Sequence, residues 1–488
     1  MIEMSRHKRQ YLHRVVAFAI GLLFLMPQSS DAAVENGMLQ FDILIDDRLD
    51  RLVVDVCFDP SNRPVTLIAD EALAKRIQDV RATLMDGSSR NLVMRHRRIE
   101  LSSIDASCVH YTVRLSERRK STWRSGFNHL NGAVALGLDH FLLRPNSRTN
   151  RLKTRLKFSP IEQIKVLAPG KLRIAPNGAQ IFDFQNRPTR WAGKIAFGKL
   201  TLSVLRVADV DVRIAIVGAV SPAVARKLQA WVASGLNALT SLYARIPVTD
   251  VQVLVFPLER SSDPVPWGEV TRGGADAVHL YVDTTRSLGE LTNNWVLAHE
   301  LSHLIHPYLT RSDAWFSEGV ASYYQNVLRA RAGLIEPQLA WQKLNAGFER
   351  GAAQASRADT LAKDTQAMLD KGRYMRVYWG GAAIAFIADV NFRQRSKGRV
   401  SLDSVFDRYS QCCLPSKQRM TALELMVALD TIAEMDVLVP LYKCYAMTSR
   451  FPDLTRSYQK LGITHHAGTL AFSEIPQAAY LRAAIMGK

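Results

Sequence analysis

The stretch that decides the fold is His299-Glu300-Leu301-Ser302-His303, which sets two histidines four positions apart. On an α-helix, such residues point in nearly the same direction and lie about 6 Å apart along the axis, so both imidazoles can face one metal ion. Glu300 lies about 100° round the helix from His299, within reach of a water that the metal activates. The pattern predicts a zinc site whose activated water attacks a carbonyl group.

A second segment supplies the third protein ligand that catalytic zinc requires beside an open position for water. It reads WFSEGVASYY over residues 315–324 and follows a short turn. A third histidine in the metzincin pattern would fall at position 309, which is Leu309, so that class of protein is excluded. We therefore expect His299, His303 and Glu318 to bind one zinc ion per chain.

The residues around these motifs predict alternating strands and helices. Apolar runs of strand length flank a long amphipathic stretch, and Ser287 with Glu290 has the spacing of a capping box that opens a helix. Proline cannot continue a helix, so that helix must stop before Pro307. We expect strands over 211–217 and 251–256, and helices over 221–244, from Ser287 to Pro307, and over 312–332.

The two ends of the chain differ from this middle part. Before residue 208 short alternating apolar runs are typical of an antiparallel β domain, interrupted by one predicted helix near Asp70 to Met85. After residue 333 the composition favours helices to about residue 450, and the last forty residues favour loops and short elements. Breaks between the helices are expected at Gly351, Gly372 and Gly398.

The N-terminus predicts export. A basic start is followed by twelve mostly aliphatic residues, Val15 to Met26, and by small residues at Ser30 and Ala32. Twelve apolar residues are too few to cross a hydrocarbon core, which takes about 20. We expect a signal peptide cleaved after Ala32 and a periplasmic or secreted protein, with an uncleaved N-terminal anchor as the alternative.

All five cysteines follow that signal, where disulfides can persist. An odd number leaves one thiol over or paired between molecules. Cys57 and Cys108 could bridge within the β-rich region, and Cys444 could pair with Cys412 or Cys413. Their spacing is not that of a structural zinc site.

Composition and charge limit the classes of partner. The chain has 488 residues, 47% of them hydrophobic, with 63 Lys+Arg against 45 Asp+Glu and a net charge of +18. A disordered or collagen-like chain is excluded. The basic clusters at 95–98, 118–120 and 148–157 lie among strand-like residues without a nucleic-acid-binding module, so we expect no nucleic acid partner. These strands could contact an anionic envelope surface.

HELSH followed by WFSEGVASYY resembles the gluzincin peptidases, which join HExxH to a downstream W-x-x-E-G. Residues 378–393, YWGGAAIAFIADVNFR, and residues 398–403, GRVSLD, are similar to the segment after the site in the glycyl aminopeptidase family. The resemblance implies His299, His303 and Glu318 as zinc ligands and Glu300 as general base. It also implies that Tyr378, at the tyrosine of a Y-x-K-G string, stabilises the oxyanion.

The roles of several residues near these motifs have more than one interpretation. The lysine of the Y-x-K-G string is Gly380 here, and Tyr374 lies four residues before Tyr378, so either tyrosine could be the donor. His306 is expected to be a solvated helix end and not a fourth ligand, because catalytic zinc keeps an open position. Ser322 either orients the carboxylate of Glu318 or packs.

Related aminopeptidases bind the free amine of the substrate through the glutamate of a G-x-M-E-N motif. The corresponding stretch here is 271–276, where Arg272 replaces the acid and Asp276 is the alternative anchor. We therefore expect a zinc metallopeptidase without an evident aminopeptidase anchor, acting on a peptide or protein. The competing hypothesis is a non-catalytic envelope protein that binds a partner on a gluzincin-like scaffold.

Together these features predict an α+β multidomain protein. A β-rich N-terminal domain precedes a thermolysin-like α/β zinc catalytic domain and a C-terminal helical domain. The predicted boundaries are a signal peptide over 1–32, the β-rich domain over 33–207, the catalytic domain over 208–333, the helical domain over 334–450 and a tail over 451–488.

Overall fold

A computed structural model describes most of the chain after the predicted signal peptide. The signal peptide itself, residues 1–32, and the basic cluster at 118–120 lie outside the described residues. Those are 38–58, 63–115, 126–146, 153–184, 193–207, 210–242, 250–271, 276–355, 359–414, 419–466 and 469–487.

The N-terminal region is built of strands because apolar and polar residues alternate along it. In one of these strands Val54 and Val56 are fully buried, whereas Asp55 between them is partly exposed. The strands are β1 (Met38–Ile45), β2 (Arg51–Phe58), β3 (Thr66–Ile68), β4 (Ile77–Leu84), β5 (Ser89–Asn91), β6 (Arg98–Glu100), β7 (Ala106–Arg114), β8 (Phe127–Leu130), β9 (Ala133–Gly137), β10 (Arg144–Pro145), β11 (Lys153–Phe158), β12 (Lys165–Leu167), β13 (Lys171–Ile174), β14 (Gln180–Phe184) and β15 (Lys194–Gly198).

These strands form an eight-stranded sheet and two smaller ones. The large sheet has the order β13-β14-β11-β1-β2-β7-β4-β5, and its pairs are antiparallel except for β1 with β11. The smaller sheets have the orders β10-β3-β6 and β12-β15-β9-β8. The expected β-rich N-terminal region is confirmed.

The helix predicted near Asp70 to Met85 is wrong. Only a short helix, α1 (Glu71–Ala74), forms, and the rest of the segment is β4. A shift of register against β7 between Gln78 and Arg81 interrupts the alternation of this strand, and Asp79 there has a φ of 51°. A β-bulge of this kind moves side chains to the other face of the sheet, so the sequence loses its period of two.

A mixed five-stranded sheet follows. Its order is β16-β17-β18-β20-β19, with parallel pairing among β17, β18 and β20 and antiparallel pairing at both edges. A helix, α2, makes the parallel connection from β17 to β18, and the Ser221 hydroxyl accepts the Val224 N–H at its start. The elements are β16 (Leu200–Val207), β17 (Val210–Val217), α2 (Pro222–Leu239), β18 (Val251–Leu258), β19 (Trp267–Thr271) and β20 (Asp276–Asp283).

Both faces of this sheet are covered, which explains why its central strands are apolar throughout. Ile214 and Ile216 of β17 belong to the hydrophobic core shared with the helices. Ala215 and Val217 belong to the core shared with the N-terminal strands. The sheet is thus held between the two parts of the protein.

The helix expected from Ser287 to Pro307 is two helices and a turn. The capping box of Ser287 and Glu290 is present, but Asn294 is extended and its Oδ1 accepts the Val296 N–H. Asparagine competes in this way with helical hydrogen bonds and restarts the helix. The elements are α3 (Leu288–Asn293), α4 (Val296–Ser302), a 3₁₀ turn (His303–Ile305) and, after a second 3₁₀ turn (Arg311–Asp313), α5 (Ala314–Arg331).

The C-terminal part is helical, as expected. Gly372 and Gly398, with φ of 63° and 84°, end helical segments. Gly351 lies inside a helix instead, against Trp379 and Phe451, so it provides close packing and not a break. The elements are α6 (Pro337–Ala353), α7 (Leu361–Gln366), α8 (Met368–Lys371), α9 (Tyr374–Arg395), α10 (Leu402–Cys413), α11 (Ala422–Ala433), α12 (Leu438–Leu441) with a π segment (Tyr442–Ala446), α13 (Thr455–Lys460), β21 (Ile463–His466), β22 (Thr469–Phe472) and α14 (Pro476–Met486). None of the helices in the described ranges has both the length and the apolar character needed to cross a bilayer.

The cysteine pairing is partly as expected. Cys57 and Cys108, opposite each other on β2 and β7, form a disulfide. The expected pairing of Cys444 is wrong, because Cys412 and Cys413 bridge each other at the end of α10 and Cys444 is an exposed free thiol.

Candidate metal centre

The three predicted ligands converge between α4, the 3₁₀ turn and α5. The rings of His299 and His303 are 5.1 Å apart, and their Nε2 atoms lie 3.2 and 3.5 Å from Oε2 of Glu318. All three potential ligand atoms are within 4.8 Å of one another. Two histidines and a glutamate are a donor set that catalytic zinc prefers, so the residues fit the predicted ion.

Electrostatics support a site that is built for a cation. Burial disfavours the charge on Glu318, but His303 and His299 outweigh that effect and lower the pKa of its carboxyl group. Burial likewise disfavours protonated His299, and Glu318 and Glu300 overcome this and raise the pKa of its imidazole. Without metal, the carboxylate therefore pairs with the histidines that would share a cation with it.

Glu300 lies on α4 beside strand β19. It is 8% exposed, and a Cβ placed on Gly268 of β19 would come within 2.6 Å of Cγ of Glu300. A side chain at position 268 would thus displace the predicted base. The glycine lets the edge strand of the sheet run directly past this glutamate.

The structure brings Tyr378, and not Tyr374, to the centre. The ring of Tyr378 stacks on that of His299, with centroids 5.6 Å apart and planes 5° apart. Burial, followed by the nearby Glu318 and Glu300, raises the pKa of Tyr378, so its phenol remains a hydrogen-bond donor. Tyr374 lies a turn earlier on α9 and is 38% exposed.

Two residues that orient the predicted ligands were not themselves predicted. Nδ1 of His299 lies 2.9 Å from Oε1 of Gln325, and Nδ1 of His303 lies 3.2 Å from Oγ of Ser317. Ligand histidines commonly donate their second N–H to such partners. Gln325 could have been found from spacing, because seven residues after Glu318 a helix returns to within about 20° of the same direction.

Ser322 is a packing residue. It is buried, but among the described residues its hydroxyl makes no hydrogen bond to Glu318. Of the two alternatives for this serine, the structure therefore favours packing.

The expectation for His306 as a solvated helix end is wrong. The residue is 3% exposed, because the chain turns from helix to extended backbone there and α5 folds back over it. Its ring lies 5.7 Å from that of His303, and its Nδ1 donates to the Pro307 carbonyl at 2.9 Å.

The alternative amine anchor lies away from the predicted base. Asp276 starts β20 and is followed by Ala277, which pairs with Thr271 of β19. Gly268, the residue of β19 that lies beside Glu300, pairs with Leu280 further along β20. Asp276 precedes Leu280 by four positions, which is roughly 13 Å along the strand. Residues 272–275, including Arg272, lie outside the described part of the chain.

Comparisons with known proteins find a peptidase family in this part of the chain. The family model of the M61 glycyl aminopeptidases matches residues 305–384, which include Glu318 and Tyr378 and begin just after His303. A search of curated proteins finds no matching sequence.

Solved structures with a similar fold are, by title, an aminopeptidase N family protein, a zinc metallopeptidase and a hydrolase. An aminopeptidase N family protein from Idiomarina loihiensis is 16% identical, with 88% of this chain and 79% of that chain covered and a TM-score of 0.67. An M1 zinc metallopeptidase from Deinococcus radiodurans is 14% identical, with coverages of 86% and 94% and a TM-score of 0.53. Native yeast LTA4 hydrolase is 12% identical, with coverages of 87% and 71% and a TM-score of 0.53.

The multidomain fold and the gluzincin resemblance are confirmed by these comparisons. Fold alone does not define an activity, but here it coincides with a peptidase family match and with three potential metal ligands that meet beside a glutamate. The chain is therefore a zinc metallopeptidase by class. It is similar to the M61 glycyl aminopeptidases in the segment that carries Glu318 and Tyr378.

Proposed function

We propose that this protein is an exported zinc-dependent endopeptidase that binds one zinc ion per chain. The observation that carries the proposal is the meeting of His299, His303 and Glu318 beside Glu300 and an edge strand. Each of the three parts that peptide hydrolysis needs is thereby supplied: a metal site, a base, and a surface for an extended chain.

The residues of the site have separate tasks in the reaction. His299, His303 and Glu318 would hold the zinc ion, which when bound supplies a Lewis acid for water and carbonyl oxygen. Glu300 accepts the proton of the attacking water and passes it to the amine that leaves. The Tyr378 hydroxyl donates a hydrogen bond to the oxyanion that develops on the scissile carbonyl.

The substrate class follows from strand β19. It ends the five-stranded sheet and pairs with β20 on one side, while its Gly268 faces Glu300. An extended peptide can add to such an edge through backbone hydrogen bonds, which do not depend on its sequence. The geometry thus favours a peptide laid along β19 with a backbone carbonyl near the base.

Cleavage inside a chain is favoured over removal of the first residue. An aminopeptidase must bind the free amine about one residue, or roughly 4 Å, from the scissile bond. Asp276 lies roughly 13 Å along the strand from the level of Glu300. An acid at that distance does not select an N-terminal residue.

Export rests on the predicted signal peptide and agrees with the cysteines. Two disulfides form among the described residues, and disulfides persist in oxidising compartments. A periplasmic or secreted peptidase is consistent with both observations. Contact of the basic strands with an anionic envelope surface stays a prediction.

The test is product analysis on a proteome-derived peptide library by mass spectrometry, with the Glu300→Gln protein as control. We expect internal cleavages by the wild type, none by Glu300→Gln, and equal zinc content in both. Stepwise loss of N-terminal residues would contradict the endopeptidase assignment. Zinc-loaded wild-type protein without any cleavage would favour the non-catalytic scaffold.

A further inference from the structure

Buried His306 requires an explanation that metal ligation does not give. It is 3% exposed, yet among the described residues the group able to hold an ion consists of His299, His303 and Glu318. Its two ring nitrogens instead face a backbone carbonyl and the hydroxyl of Ser317. These contacts decide which atom donates and which accepts at each step of a chain of hydrogen bonds, that is, the direction of the chain.

The direction is set at the Pro307 carbonyl, which can only accept. Nδ1 of His306 lies 2.9 Å from that oxygen and must therefore carry the proton. In a neutral imidazole the other nitrogen is then an acceptor. Nε2 of His306, 3.4 Å from Oγ of Ser317, thus receives the serine hydroxyl proton.

Ser317 transmits this direction to a zinc ligand. Its hydroxyl has a single proton, which goes to His306, so its lone pair accepts from Nδ1–H of His303 at 3.2 Å. His303 is left with its lone pair on Nε2. That atom faces Oε2 of Glu318 at 3.5 Å, where the ion would bind.

We propose that His306 is a positioning residue for the zinc ligand His303 and acts through Ser317. The chain of hydrogen bonds from His306 through Ser317 fixes the tautomer of His303. It also ties the 3₁₀ turn that carries His303 to α5, the helix that carries Glu318. The inference rests on the proposed function, since it assigns His306 a task only if the site holds zinc. His299 is oriented in a single step by Gln325.

The test is the zinc dissociation constant of metal-depleted protein, measured by competition with a chromophoric chelator. Loss of an outer partner typically weakens metal binding 10- to 100-fold. We expect Ser317→Ala to raise the dissociation constant by that factor and His306→Phe to raise it about tenfold. Ser317→Thr, which keeps the hydroxyl, and His306→Gln, which keeps an acceptor for it, should restore most of the affinity.

A double-mutant cycle separates action through Ser317 from a general packing effect. If His306 acts through the serine, His306→Phe has no further effect on zinc affinity in the Ser317→Ala background. Additive losses would overturn the proposal, as would unchanged affinity in His306→Phe. Ser322→Ala, the same substitution at a buried site on the same helix, is the matched control and should bind zinc like the wild type.

A measurement on the wild type keeps the test valid if His306→Phe fails to fold. Long-range ¹H–¹⁵N spectra of histidine-labelled zinc protein report which ring nitrogen is protonated. We expect Nδ1–H on both His303 and His306, and Nε2–H on His306 would overturn the proposal. Neither the zinc dissociation constant nor the histidine spectra depend on hydrolysis. A protein that binds zinc in this way without cleaving peptides would therefore contradict only the proposed function.

Discussion

Gly319 and Gly381 pack backbone against backbone where α5 crosses α9. A Cβ on Gly319 would overlap the Gly381 backbone, and one on Gly381 would overlap the Trp315 carbonyl. Gly319 directly follows Glu318, and Gly381 lies one turn after Tyr378. The close crossing therefore brings the metal-ligand helix and the tyrosine helix together at the site, which gives the glycine of W-x-x-E-G a structural role.

We expect Gly319→Ala and Gly381→Ala each to lower the free energy of unfolding by about 3 kcal/mol, the upper end of the usual range for overpacking. Backbone atoms cannot move aside as a flexible side chain can, so the added methyl group forces the helices apart. Urea unfolding followed by circular dichroism measures the effect. Gly289→Ala, on a helix where a Cβ has its nearest contact at 4.0 Å, is the control and should change stability by about 1 kcal/mol or less in the stabilising direction.

The two tyrosines of α9 can be told apart by removing each hydroxyl. Tyr378→Phe should lower kcat about 100- to 1000-fold, because loss of one donor to an oxyanion typically has that effect. Zinc should still be bound, since the three potential ligands and the ring that stacks on His299 remain. Steady-state kinetics on a peptide from the library measure the loss. Tyr374→Phe is the control, and a larger loss there would reverse the assignment.

Spacing within one helix could be predicted from the sequence, whereas contacts between elements could not. His299 and His303 are a single helical turn apart, so their convergence follows from local geometry. The burial of His306 depends on α5 folding back over the 3₁₀ turn, and the course of β4 depends on a bulge against β7. Such features arise from tertiary packing, which overrides local preference.

Glu269 joins the edge strand β19 to the N-terminal region. Its Oε1 accepts from Nζ of Lys194 at 2.9 Å and lies 3.0 Å from Nδ1 of His279. Nζ of Lys194 also lies 3.0 Å from the hydroxyl of Tyr281. Burial opposes ionisation of Glu269, but His279 and Lys194 lower its pKa from 4.5 to about 2.

Acid should therefore weaken this junction. Because the folded pKa of Glu269 lies below its unfolded value, its contribution is present above pH 4.5 and is lost as pH falls towards 2. Burial lowers the pKa of His279 from 6.5, so stability also falls below that pH as the unfolded chain takes up the proton. The carboxylate of Glu269 should contribute about 2 kcal/mol to the free energy of unfolding at pH 7. This is roughly half of what the full pKa shift would give, because the side chain is 34% exposed and water screens its charge.

Denaturant unfolding of Glu269→Gln at pH 7, 5 and 3.5 tests this expectation. The variant should be less stable at pH 7, because Lys194 is left buried without its carboxylate, and its stability should vary less between pH 5 and 3.5. Glu71→Gln removes an exposed partner of Lys75 and should change little at any of these pH values. An equally steep loss of stability in wild type and Glu269→Gln would contradict the role of the glutamate.

The two disulfides should differ in what they contribute to stability. The Cys57–Cys108 bond joins residues 51 positions apart, whereas Cys412 and Cys413 are neighbours. In the chain-entropy treatment a loop of that length contributes about 4 kcal/mol, and a bridge between neighbours restricts the unfolded chain very little.

We expect the Cys57→Ser/Cys108→Ser protein to lose about 2 to 4 kcal/mol of unfolding free energy. The Cys412→Ser/Cys413→Ser protein, which carries the same two substitutions at the other bridge, should lose less than about 1 kcal/mol. Urea unfolding of oxidised proteins measures both, and equal losses would show that the contribution does not come from the loop that each bond closes.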